Sequence, residues 1–177
     1  MKKFLSTFCL AVAVAFAPAI MAVPNAVAQV AGALQTMEAD IEALLIANAA
    51  DPDAFAAAVE EYLLAADDPE LAADAVISVL TNPKSEAAQI ALANNPALKE
   101  AGGRGLGAAI AQIGLTNPTA AANIQAKVEA SGDDTLQASV TQGNAERTAS
   151  IQRQQQQQQG TTAENQDSTP ETPVSPN

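Results

Sequence analysis

Apolar side chains return along this chain at spacings of three and four, not in the alternation that strands require, so the pattern predicts helices throughout. The first run places Val30, Leu34, Met37, Ile41, Leu44, Leu45 and Asn48 on one face and ends near Ala50. Glu38, Asp40 and Glu42 fall off that stripe, on the side expected to meet water. The run lasts less than three heptads, which favours burial against the chain's own helices over a coiled coil with another copy. A second stripe joins Phe55, Val59, Tyr62 and Leu63, with Glu60 and Glu61 beside it. A third, broader one carries Leu71, Val76, Val79 and Leu80. Shorter runs follow, with Ala87, Ile90 and Ala91 expected inward, then a brief turn of helix around Leu98. Leu106, Ile110 and Ile113 form the next face, then Ala121, Ile124 and Val128, and last Leu136 and Val140, where the signal fades past Gly143.

The breaks between these runs share a chemistry. Asp51-Pro52, Asp68-Pro69, Asn82-Pro83, Asn95-Pro96 and Asn117-Pro118 each put an Asx residue before a proline. The Asx side chain can accept from the free N–H groups of a first helical turn, and proline there has no N–H to leave unpaired and already holds a helical φ. All five are therefore expected to start helices. Asp133-Asp134 is expected to cap the last helix, and Ser131-Gly132 to end the one before it.

Gly102-Gly103-Arg104-Gly105-Leu106-Gly107 interrupts this series. Its spacing matches neither the dinucleotide fingerprint nor the P-loop, and no strand precedes it. Gly103, Arg104, Gly105 and Gly107 are read as a hinge or a point of close helix approach, where one helix stops and the next resumes at Leu106, ahead of a weak anion site. Phe55 and Tyr62 are the only aromatic residues beyond the N-terminal segment and sit two turns apart on one helix. They are expected to anchor the core, and they are also the candidate interaction pair if that stripe faces outward.

A weak echo relates Leu80-Thr81-Asn82-Pro83 to Leu115-Thr116-Asn117-Pro118, 35 residues on. Paired-helix solenoid units have periods of this size. The fold class expected is all-α, either a small bundle or a short right-handed stack of about six to seven short helices, with solenoid-like hairpins as one form of the stack.

Three segments are expected. Lys2 and Lys3, the uncharged apolar run Phe4 to Ile20, and Ala26-Val27-Ala28 before Gln29 read as a cleavable export signal over residues 1–28. An uncleaved membrane anchor is the weaker alternative, because Pro18 and Pro24 interrupt the run's end. Residues 29–141 form the alanine-rich helical domain. Residues 142–177 hold six consecutive glutamines, Gln154 to Gln159, and then Thr, Pro, Ser and Asn with almost nothing apolar, and are expected to be disordered.

Composition narrows the chemistry. Cleavage would remove Cys9 with the signal, leaving no cysteine, histidine or tryptophan, and so no disulfide, no thiol or imidazole nucleophile and no usual zinc set. It would also remove two lysines and take the formal net charge from −12 to −14. That balance argues against nucleic acid and against anionic membrane surfaces. Carboxylates remain, as Asp51/Asp53, Asp67/Asp68/Glu70/Asp74 and Asp133/Asp134, and paired carboxylates can hydrolyse glycosides. Every cluster, however, lies at an expected helix start, where acids serve capping and the helix dipole. Calcium at Asp67-Asp68-Glu70 lacks the EF-hand spacing and its glycine. No catalytic residue, cofactor or metal is expected. The function expected is that of an exported, non-catalytic interaction or structural protein of the periplasm or cell surface, with a protein partner or self-association and no membrane contact after cleavage. A small-ligand or cation-binding module is the alternative.

Overall fold

A computed structural model describes residues 23–163, and within them the chain forms seven α-helices and no strand. They are α1 (Val23–Ala47), α2 (Pro52–Ala65), α3 (Pro69–Thr81), α4 (Glu86–Asn94), α5 (Ala97–Thr116), α6 (Pro118–Ala130) and α7 (Asp134–Ala163). Most of the expected export signal lies outside the described residues, and so does the end of the expected tail, residues 164–177. The expected cleavage point after Ala28 falls in the first turns of α1.

Three of the five Asx-Pro pairs act as expected. Asp51, Asp68 and Asn117 are N-caps whose side chains accept from Ala54, from Glu70 and Leu71, and from Ala120, each with proline at the first helical position. Of the other two, Asn82-Pro83 does not open a helix, and Asn95-Pro96 leads directly into α5 but gives it no side-chain cap. Asn82 ends α3, its backbone N–H bonding to the Ser78 carbonyl, and α4 starts later, with the Ser85 hydroxyl accepting from Ala88 N–H. Asn95 ends α4 and turns its side-chain amide onto the Ala49 carbonyl at 3.1 Å, leaving α5 without a side-chain cap. The later start of α4 shifts its inward face by one position. Ala88 is buried while Ala87 and Ile90 are exposed, the reverse of the expectation for the last two.

The directions of the helices follow from who meets whom. Glu38 and Glu42 of α1 meet Ser78 and then Lys84, and Glu70 and Asp74 of α3 meet Asn123 and then Lys127 of α6. Partner numbers rise together, so α1, α3 and α6 run the same way. Likewise Asp53 and Glu60 of α2 meet Arg104 and Gln112 of α5, and Lys99 and Gly107 of α5 meet Asp133 and then Val140 and Asn144. Thus α2, α5 and α7 form a second set. The tight connections at 48–51, 66–68, 117 and 131–133 reverse the chain between the sets, giving two layers of helices with the short α4 against α1 and α5. Matching positions in α3 and α6 lie 53 residues apart. The 35-residue echo instead equates the end of α3 with the end of α5, helices of opposite layers, so it is not the structural period.

The core lies between the layers. Ile41, Leu45, Phe55, Val59, Leu80, Leu98, Leu106, Ile124 and Leu136 are fully or almost fully buried, with Ala72, Ala73, Ala75, Ala101 and Ala109 filling between them. The stripes on α1, α2, α3, α5 and α6 face inward as the periodicity requires, although Val30 at the start of α1 is 55% exposed. Gly132, at φ +67°, takes the left-handed conformation that ends α6 at no steric cost.

Two boundaries differ from expectation. The glycine cluster breaks nothing: α5 is one continuous helix through it. And α7 does not end near Val140. It continues through the glutamines to Ala163, with Gly143 buried and Asn144, Arg147, Ser150 and Ile151 half-buried, so the ordered body extends past the expected boundary at residue 141. The expectation failed because this stretch docks through a glycine and an arginine rather than through large apolar residues.

Candidate functional site

The glycine cluster builds the floor of the candidate site. Gly102, Gly103, Gly105 and Gly107 of α5 each sit where a Cβ would collide with a neighbour, whereas Gly114 of the same helix meets only the Ala121 Cβ at 3.7 Å. At Gly102 it would lie 2.8 Å from Leu80 Cδ2 and 2.9 Å from Phe55 Cε1, and at Gly105 3.0 Å from the Ala56 carbonyl carbon and closer still to its oxygen. At Gly107 it would lie 2.8 Å from Asn144 N and nearer to the Val140 carbonyl oxygen, and at Gly103 it would run into the Ser139 hydroxyl. From the other side, a Cβ on Gly143 of α7 would lie 2.7 Å from the Arg104 carbonyl carbon. Gly105 therefore admits α2, and Gly107 with Gly143 brings α5 and α7 together, to within backbone contact, while Gly103 makes room for the Ser139 side chain. The close-packing reading of Gly103, Gly105 and Gly107 holds, and the hinge reading is corrected. The N–H groups of the cluster lie inside a continuous helix and are bonded along it, not free as at a helix start.

Phe55 is wholly buried against Leu80 and Gly102, which removes it as an exposed interaction residue. Tyr62 is half-buried, and its hydroxyl donates to Asp40 Oδ2 at 3.4 Å. Burial, and then the adjacent Asp40 carboxylate, push the Tyr62 phenol above its ordinary pKa. The two rings therefore do not form a shared surface.

What α2, α5 and α7 do form is a trough. Its floor is Ala56, Gly105 and Ala108, its walls are α2 and the Gly143–Ser150 segment of α7, and its first part encloses about 320 Å3. A second depression of about 390 Å3 continues it past Glu61 to Leu64 and Ala65, sharing Ala57, Glu60 and Arg147 with the first. Along α2 from Asp53 to Ala65 the trough spans roughly 18 Å. Two arginines cross it. Arg104 Nη2 donates to Asp53 Oδ1 at 2.8 Å, and Arg147 forms an ion pair with Glu60, which also accepts from Gln112. Both arginines carry a buried Nε–H without a partner. The apolar Leu64 is 43% exposed at the trough's far end.

Elsewhere the acidic residues serve the fold. Asp51, Asp68 and Asp133 accept from helix N–H groups, and the Lys99 ammonium, together with the Leu136 and Thr135 N–H groups, holds the Asp133 carboxyl below its usual value despite partial burial. Glu38 and Glu42, expected to face water, are instead buried on α1. Glu38 accepts from the Ser78 hydroxyl at 2.6 Å and pairs with Lys84. Glu42 accepts from Lys84 N–H at 2.5 Å and Ser85 N–H at 3.0 Å, and so fastens the segment leading into α4. Burial pushes both carboxyls up, but these hydrogen bonds outweigh it, and both sit below the ordinary glutamate pKa. Their helical spacing of four was visible in the sequence, but nothing local marked them as buried. Among the described residues no group of three or more potential ligands is placed to hold a metal ion, and no helix is long and apolar enough to cross a membrane.

Charge is distributed unevenly among these contacts. Of the six Lys and Arg among the described residues, Lys84, Lys99, Arg104, Lys127 and Arg147 are in ion pairs, and Arg153 Nε donates to the Ala149 carbonyl. All but three of the 20 acidic residues, Glu164, Asp167 and Glu171, lie in the same span, and only five of them are in those pairs. The accessible charge is therefore overwhelmingly negative. Compared with protein-family models, with curated proteins and with solved structures, the chain matches none.

Proposed function

We propose that this chain is an exported, non-catalytic interaction protein of the bacterial periplasm or cell surface, built as a short stack of helical hairpins that presents a helix-lined trough to a protein partner. One observation carries the reading. Three helices are drawn to backbone contact by glycines, and the result is an open trough about 18 Å long rather than an enclosed pocket. A trough of that shape suits an extended macromolecular contact more than a small substrate, which binding sites usually surround on most sides. Among the carboxylates that could otherwise have suggested hydrolysis, Asp51, Asp68 and Asp133 serve as helix caps and Asp53 and Asp74 as ion-pair partners. Export is supported by the Lys2-Lys3 start, the apolar run after it and the Ala26-Val27-Ala28 pattern.

The test is a crosslinking capture from the native envelope and culture medium, using the full chain tagged after Asn177, with the crosslinked residues mapped by mass spectrometry. One dominant partner joined through α2 or α7 is the expected result. A reproducible hydrolase activity that disappears on replacing Asp67 and Asp68 would overturn the reading, as would the absence of any crosslinked partner. Intact mass of the exported material, with a start at Gln29, checks the processing.

A further inference from the structure

The trough also states the chemistry of what it accepts. Its floor is made of glycine and alanine, and the Arg104–Asp53 and Arg147–Glu60 pairs lie across it. Its rim carries Asp53, Glu60, Glu61 and Glu146 against Arg104 and Arg147. Both arginines are already matched, to Asp53 and Glu60, which leaves Glu61 and Glu146 as the uncompensated charges of the rim. Glu61 is exposed on the same face of α2 as Leu64, one turn away, and Glu146 is exposed on the opposite wall. An apolar anchor point with one unmatched carboxylate a turn away on α2, and a second further along the trough on α7, is complementary to a helix with aliphatic residues on one face and lysine or arginine beside them.

We infer that the α2–α7 trough is a docking site for a basic amphipathic helix of a partner protein. The inference rests on the interaction reading above and adds to it the partner's chemistry and its seat. The helix lies along α2, about 12 residues of it filling the trough's length. Its aliphatic side chains cover Leu64 and Ala65, and its basic side chains reach Glu61 and Glu146. The partner's charge both steers the encounter and excludes acidic segments, which the surface repels.

The test uses the full chain, labelled for amide NMR, and three amidated peptides of about 16 residues, long enough to span the trough. The first has leucine on one helical face and lysine on the other, the second scrambles that composition, and the third replaces lysine with glutamate. The leucine–lysine helix is expected to shift amides of α2 from Asp53 to Ala65 and of α7 from Gly143 to Ser150. The double variant Glu61→Lys/Leu64→Ser is expected to weaken binding about tenfold or more, equivalent to about 1.4 kcal/mol. Glu129→Lys, exposed on α6 outside the trough, should change affinity little, with circular dichroism confirming that each variant is folded.

Shifts spread over the whole surface, equal weakening by Glu129→Lys, equal binding of the scrambled peptide, binding of the glutamate peptide, or no binding at all would each overturn the inference. So would a concentration-dependent dimer broken by the same double variant, because a second copy would then fill the trough. Crosslinking separates this failure from that of the broader reading. A partner that is captured equally well by the double variant removes the trough as the seat and leaves the interaction protein standing, whereas no partner removes both.

Discussion

Replacing Gly107 with alanine isolates the feature on which the second helical layer depends. In a free helix interior the change gains about 1 kcal/mol, because glycine loses more backbone freedom on folding than alanine does. Here the new methyl would stand 2.8 Å from Asn144 N and 2.9 Å from the Val140 carbonyl carbon, and closer still to the Val140 oxygen. Those atoms are backbone of α7 and cannot rotate away, so α5 and α7 must part. A separation of about 0.5–1 Å forfeits a quarter to a half of each affected dispersion contact, and overpacking of this kind costs about 1–3 kcal/mol or more. Because the contact is backbone to backbone along the longest interface of the layer, we place the gross cost at the top of that range, for a net loss of about 2 kcal/mol. For a domain of this size that lowers Tm by about 4–10 °C. Gly114→Ala, in the same helix, is the internal control: its methyl meets only the Ala121 Cβ, at an ordinary 3.7 Å, so the propensity gain survives and stability rises by up to about 1 kcal/mol. Urea unfolding followed by far-UV circular dichroism reads both, as shifts in midpoint at constant slope. Gly107→Ala as stable as the parent, or changes of the same sign in the two variants, would refute the close-packing argument.

Further outcomes follow from the buried groups. Phe55→Ala should cost about 3–5 kcal/mol, whereas Tyr62→Phe, which removes only a long hydrogen bond at a half-buried site, should stay within about 1 kcal/mol. Stability should be greatest above the ordinary carboxylate range and fall as the pH drops below about 4.3, because Glu38, Glu42 and Asp133 have folded pKa values below their unfolded ones and the unfolded chain takes up protons first. Acid titration of the unfolding free energy reads this, and Glu42→Gln should flatten part of the slope. Truncation after Thr141 removes Gly143 and the Arg147–Glu60 pair and should lower Tm, while truncation after Arg153 keeps Gly143, Asn144, Arg147, Ser150 and Ile151 and should lower it less; equal Tm values for the two forms would show that residues 142–153 add nothing.

Much of the fold was legible in the sequence, because its signals act within one or two turns. Apolar spacing placed the inward faces of α2, α3, α5 and α6, and Asp51, Asp68, Asn117 and Asp133 marked helix starts by bonding to N–H groups two or three residues on. The candidate site was legible only in part. The glycine cluster announced close approach, but not which helices would approach, and Phe55 and Tyr62 looked like a pair although only one of them is wholly buried.

What the tertiary structure decided concerns groups whose partners lie far away in the chain. Asn82 and Asn95 read the same as Asn117, yet Asn95 is claimed by the Ala49 carbonyl 46 residues earlier and Asn82 yields the start of α4 to Ser85. Glu38 and Glu42 read as solvent-facing, yet Ser78, Lys84 and Ser85, about 40 residues away, supply the hydrogen bonds that make their burial favourable. The polar run after Val140 carries too little apolar surface to predict packing. It docks because Gly143 fits against the Arg104 backbone and Arg147 reaches Glu60, 87 residues apart. Local sequence sets where the backbone can form helices. The burial of a polar or missing side chain is set by whichever distant segment completes its contacts, and only the assembled layers bring that segment into place.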